Sequence, residues 1–139
     1  MNTALKKYFL IIAFLAVGTI ALVYGVSPTW FALTFFGMNT LDISIAHILR
    51  AVMCLYLALG IFWLVCAFRP TSHNVAILTV LIFCGGLFVG RLISFMIDGL
   101  PSMLLQLYAG IELAVIPSAY WLLRRRDSEY TQTQRKDNT

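Results

Sequence analysis

The chain has 139 residues, of which 60% are hydrophobic and only 12% charged, with a formal net charge of +4. A soluble domain carries about 25% charged residues, so that class is excluded, and the apolar residues fall in four long blocks that predict an all-α integral membrane bundle of four transmembrane helices. The basic residues gather at the ends of the apolar blocks, where topology signals sit, and no segment has a basic face with interleaved aromatics; no nucleic-acid partner is expected.

The first block, "YFLIIAFLAVGTIALVYGV", follows Lys6 and Lys7. It is too long for a signal segment and lacks a small-x-small cleavage site, so it reads as a retained first span over residues 7–25. Next comes "SPTWFALTFFGMNTLD", which opens with Ser27 and Pro28, a good N-cap and first-turn pair. Trp30, Phe31, Leu33, Phe35 and Phe36 follow, and Gly37 and Asn39 can end a short helix. A segment so aromatic does not float in water; it lies along the membrane interface as an anchor or folds over the bundle as a lid.

The second span, residues 43–68, is closed by Arg69 and Pro70; the third covers 75–97 and the fourth 102–123. Each reaches the ~20 apolar residues that cross a ~30 Å hydrocarbon layer. Residues 1–123 thus form one domain, and "RRRDSEYTQTQRKDNT" from Arg124 onward reads as a stop-transfer signal with a disordered cytoplasmic tail. Lys6 and Lys7, Arg69, and the five basic residues of the tail lie in three segments that an even number of spans places on one side, so both termini are expected in the cytoplasm. Cys54, Cys66 and Cys84 all stand inside apolar blocks without ligand spacing, and are expected to be buried structural thiols rather than disulfide or metal partners.

The costly residues are polar ones inside the spans: His47 and Arg50 in the second, Arg91 in the third and Glu112 in the fourth, with Asp42 and Asp98 at span ends. A charge at the bilayer centre costs about 2.5–3.5 kcal/mol on insertion scales. His47 and Arg50 are three apart and share a face, as do Arg91, Ser94 and Asp98, with Gly86 and Gly90 at the border offering close helix approach. Tyr108 stands one turn before Glu112, and Pro117 leaves the carbonyl of Leu113 without its helical partner, which favours a kink there.

Helical side chains lean toward the N-terminus of their own helix. Arg50 and Glu112 therefore lean outward and Arg91 inward, which brings Arg91 to the level of Glu112. A near-neutral cluster of Arg50, Arg91, Asp98 and Glu112 is expected to join the last three spans. It could fasten the bundle, hold a polar ligand or headgroup, carry protons, or catalyse. Paired guanidinium groups suit carboxylate or phosphate. His47, Arg50, Arg91, Asp98, Tyr108 and Glu112 are the candidate binding residues. No nucleophile–base pair, metal set, nucleotide loop or cofactor signature supports an enzyme, and no cofactor is expected.

The stretches "YGVSP", "HILRAVMCLYLALGIFWLVCAFRP", "GRLISFMIDGLPS" and "GIELAV" resemble a family of small bacterial four-helix membrane proteins catalogued as domain of unknown function 4345. The resemblance covers nearly the whole chain up to Arg124. It implies the fold and the site positions, and no activity. The small multidrug-resistance exporters also have four short helices and a membrane glutamate, but theirs is in the first helix, where this chain has no acid. The expected function is that of a bacterial inner-membrane binding or accessory protein for an anionic or amphipathic small molecule or a lipid. The alternatives are a structural subunit of a larger assembly, with a homo-oligomer or membrane-protein partner, and a proton-coupled exporter using Glu112.

Overall fold

Each apolar block folds as one continuous helix, because in hydrocarbon the backbone can satisfy its hydrogen bonds only within itself. The computed structural model describes residues 2–38 and 40–125. Within them α1 is Asn2–Gly25, α2 Pro28–Phe36, α3 Ile43–Ala67, α4 His73–Ile97 and α5 Met103–Arg124, with a 3₁₀ turn at Pro70–Ser72 between α3 and α4. The four long helices are each long and apolar enough to cross a membrane. Only 17–28% of the most apolar stretch of each is buried within the chain, so most apolar side chains face outward, as lipid requires and water forbids. The architecture is that of a multi-pass membrane protein.

The ends differ from the sequence reading where capping intervenes. α1 starts at Asn2, ahead of the two lysines, and α4 starts at His73 because Pro70 opens a 3₁₀ turn that runs directly into it. α2 begins at Pro28 as expected, although the Ser27 side chain makes no cap hydrogen bond; it stops at Gly37, which adopts φ 65°, a left-handed cap that glycine supplies at low cost. Asn39 and the tail from residue 126 lie outside the described residues. α5 continues helically through Pro117, and next to it the Ser118 hydroxyl donates to the Ala114 carbonyl at 2.9 Å.

The helices assemble as two pairs, α1 with α3 and α4 with α5, with lighter contact between the pairs. Close approach in the first pair is made at two glycines. A side chain at Gly25 would collide with Met53, and one at Gly60 would meet the Phe14 ring at 3.1 Å. Gly86 and Gly90, by contrast, have nothing within 4 Å of where a Cβ would stand, so the small-residue stripe on α4 is not used for packing within the chain. Trp63, fully buried on α3, joins the pairs: its indole N–H donates to the Thr79 hydroxyl at 2.9 Å and its ring meets Phe83.

Both described chain ends meet the α3–α4 connection at one end of the bundle. Lys6 is fully buried there, and its ammonium donates to Asn74 Oδ1 at 2.7 Å and to the Arg125 carbonyl at 2.9 Å. Lys7 sits over the Phe68 ring, Arg124 over Tyr120 and Arg125 over Trp121. The basic residues therefore collect at this end on aromatic supports. α2 and the α4–α5 connection lie at the other.

Candidate functional site

Depth alone brings one pair together. Counted from the α2 end at 1.5 Å per residue, Arg91 lies about 10 Å along α4 from Asp98, and Glu112 about 14 Å along α5 from Met103. Arg91 leans toward the α4 N-terminus and Glu112 toward the α5 N-terminus, so their tips converge. The Arg91 Nε–H points between the two carboxylate oxygens of Glu112, at 3.1 Å from Oε1 and 3.0 Å from Oε2. The side chains are 18% and 10% exposed, a nearly buried ion pair inside a hairpin.

That contact uses a single N–H of the guanidinium. The Tyr24 hydroxyl reaches the guanidinium from α1 as a second polar partner, and Glu112 is the acid paired with it among the described residues. An arginine has five N–H donors in a planar fork, more than Glu112 and Tyr24 together engage. The Tyr108 ring lies below the cation, 5.8 Å from centroid to Cζ.

Two spaces meet at Arg91. One is a central cavity of about 70 Å³ between the helix pairs, lined by apolar residues of all four spans and by Tyr24, Tyr56, Cys84, Arg91, Tyr108 and Glu112. It has room for several waters. The other is a more open pocket of about 360 Å³ at the α2 end, between the end of α4 and the start of α5, where Arg91 is joined by Ser94, Asp98 and Leu105. Asp98 accepts from the Ser94 hydroxyl at 3.0 Å and is exposed.

α2 packs on the bundle at Tyr24, one of the residues that line the central cavity. Phe31 is fully buried and packs edge-on to Tyr24 at 4.7 Å, and Tyr24 in turn meets Tyr108 at 6.2 Å. The opposite side of α2 leaves Trp30 and Leu33 about half exposed. One face of the segment thus packs on the bundle, and the other leaves aromatic and apolar side chains exposed.

The structure brings together Arg91, Tyr108 and Glu112, and places Asp98 in a pocket with Arg91. It does not bring His47 and Arg50 to them. Both are exposed on α3, and among the described residues neither makes a hydrogen bond or ion pair. Cys54, on the same face, is exposed where a buried thiol is expected, while Cys66 and Cys84 are buried. Tyr24 and Tyr56 are site residues that the sequence reading passes over. A tyrosine hydroxyl in a span needs a polar neighbour, and that signal could have found both. At the span margin, Asp42 caps α3 by accepting the Ser44 amide at 2.7 Å, and hydrogen bonds from the Ser44 side chain and then from its amide hold the carboxyl below the ordinary range.

Among the described residues no three histidine, cysteine, aspartate or glutamate side chains gather closely enough to hold a metal ion. Comparison with curated proteins and comparison with solved structures each find no match. A family model does match, over residues 5–123, taking in all four spans, α2 and both members of the Arg91–Glu112 pair: the chain belongs to the family described as domain of unknown function DUF4345.

Proposed function

We propose that this chain is an inner-membrane binding or accessory protein, with its basic end in the cytoplasm, and that it holds an anionic or amphipathic small molecule or a lipid at Arg91. One observation carries this reading. Arg91 is fixed through Nε by Glu112 and lines both the central cavity and the pocket at the α2 end. A guanidinium needed only as a fastener would be expected to use the two-pronged contact, which is stronger and more specific. Here the acid takes only the Nε–H, and the fork keeps donors beyond those that Glu112 and Tyr24 engage.

The test is native mass spectrometry of the full chain released from mild detergent. A bound mass is expected on the wild type and none once Arg91→Gln and Glu112→Gln are combined, which removes the cation without stranding the acid. Returning the released compound should raise the melting temperature of the wild type alone, by mass action. A wild type that never carries a bound mass would refute the reading.

A structural-subunit role is favoured by a different observation, the exposed and unpartnered Arg50 and His47 on a membrane-spanning face. Export through Glu112 gains no support. The acid is 8% exposed and both its oxygens are engaged by Arg91.

A further inference from the structure

The pocket between α4 and α5 has a charge order along its wall that matches one class of amphiphile. Arg91, Ser94 and Asp98 are spaced three and four residues apart, so they rise in a row on one face of α4. The cation is the deep member and the carboxylate the shallow one. No ion pair joins them among the described residues: Arg91 turns sideways to Glu112, and Asp98 is held only by Ser94 and its own helix end. Gly90 leaves the wall open beside Arg91, with nothing within 4 Å of a Cβ position, and Gly99 at φ 88° turns the chain away above Asp98. Phe95 and Leu105 supply apolar lining. The pocket is therefore zwitterionic, with plus inside and minus at the rim.

A simple anion fits this poorly, since Asp98 repels it at the entrance. A phospholipid bearing a phosphoethanolamine headgroup carries the complementary order: acyl chains in hydrocarbon, then phosphate, then a primary ammonium at the surface. The Arg91 and Asp98 backbone positions are about 10 Å apart along α4, so the two charges stand at different depths, as phosphate and ammonium do.

We infer that this pocket binds a phosphoethanolamine-headed lipid, the terminal nitrogens of Arg91 donating to the phosphate and the Asp98 carboxylate accepting from the ammonium. The inference rests on the proposed ligand role of Arg91 and deepens it by naming the headgroup. It holds for either orientation of the bundle, because the pocket opens at an end of the spans, where Asp98 stands, in either leaflet.

The experiment titrates the full chain in mild detergent with phosphatidylethanolamine, phosphatidylcholine and phosphatidylglycerol of identical acyl chains, and counts bound lipid by native mass spectrometry. Phosphatidylcholine keeps the charges but has no ammonium N–H; phosphatidylglycerol keeps the phosphate and has no cation. The wild type is expected to prefer phosphatidylethanolamine over both by about tenfold or more, the discrimination of one charge-assisted hydrogen bond. Asp98→Asn should erase that preference while total retention persists, and Arg91→Gln with Glu112→Gln should lose all three lipids. Equal retention of the three by the wild type, or an unchanged preference in Asp98→Asn, overturns the headgroup assignment and leaves anion binding at Arg91 intact. Retention that is the same with and without Arg91 overturns the reading beneath it.

Discussion

Arg91 and Glu112 each carry a charge that hydrocarbon penalises, and each becomes tolerable through the other. Removing one partner of a buried pair costs about 3–5 kcal/mol in proteins where it has been measured, and removing both costs much less. Glu112→Gln is therefore expected to lower the unfolding midpoint in detergent markedly, and Arg91→Gln added to it to restore part of the loss. Strict additivity of the two single changes would show that the pair contributes no coupling. Asp42 offers a test of a different kind. Its folded-state carboxyl is depressed by hydrogen bonds from the Ser44 side chain and amide, so the cap is in place above the unfolded value and is lost as pH falls through the folded one. Thermal unfolding followed from about pH 6 to about pH 2 should show this loss in the wild type and not in Asp42→Asn, whose side-chain oxygen still accepts the bond.

Which face a helix turns inward is settled in this bundle by glycines that look alike in sequence. Gly25→Ala is expected to destabilise by about 1–3 kcal/mol, the usual cost of overpacking, because Met53 already fills the space. Gly86→Ala and Gly90→Ala meet nothing and should be neutral or stabilising by up to about 1 kcal/mol, through reduced chain entropy. The reverse ranking in a detergent unfolding series would mean that the α4 stripe, and not the α1–α3 seam, makes the close approach. This contrast also explains what could be read beforehand. The depth and lean of Arg91 and Glu112 follow from rise per residue, which is one-dimensional, and the pair follows from them. The position of Arg50 depends on rotation about the helix axis. In a soluble helix apolar periodicity reveals that rotation; in a membrane the buried and lipid-facing sides are equally apolar, so α3 gives no sign that His47, Arg50 and Cys54 face away from the other charges.

At the scale of the whole molecule, the count of spans and the clustering of basic residues at one end were both legible, since they depend only on length, hydropathy and the parity of crossings. The contact made by Phe31 was half legible: its aromatic run announced a contact with something apolar, and only the folded chain shows that one side of that something is Tyr24. Orientation itself is open to a direct check. In a background with the native cysteines replaced, Ser27→Cys should react with an impermeant thiol reagent in intact cells and Thr71→Cys only after lysis; the opposite pattern would put the Arg91 pocket on the cytoplasmic side. One feature of the pairing also bears on how the protein is made. Arg91 and Glu112 sit on consecutive helices joined by a short turn, so the two opposite charges leave the ribosome within one hairpin and can neutralise each other before either is released to lipid. A nascent chain stopped after α4 presents Arg91 to the translocon without Glu112, its ion-pair partner. Its α4 is expected to integrate less efficiently, by alkaline extraction of translation products, than in the full chain, and Glu112→Gln in the full chain should reproduce the defect. The ion pair would then matter first as an entry permit, during biogenesis, and only afterwards to the finished protein.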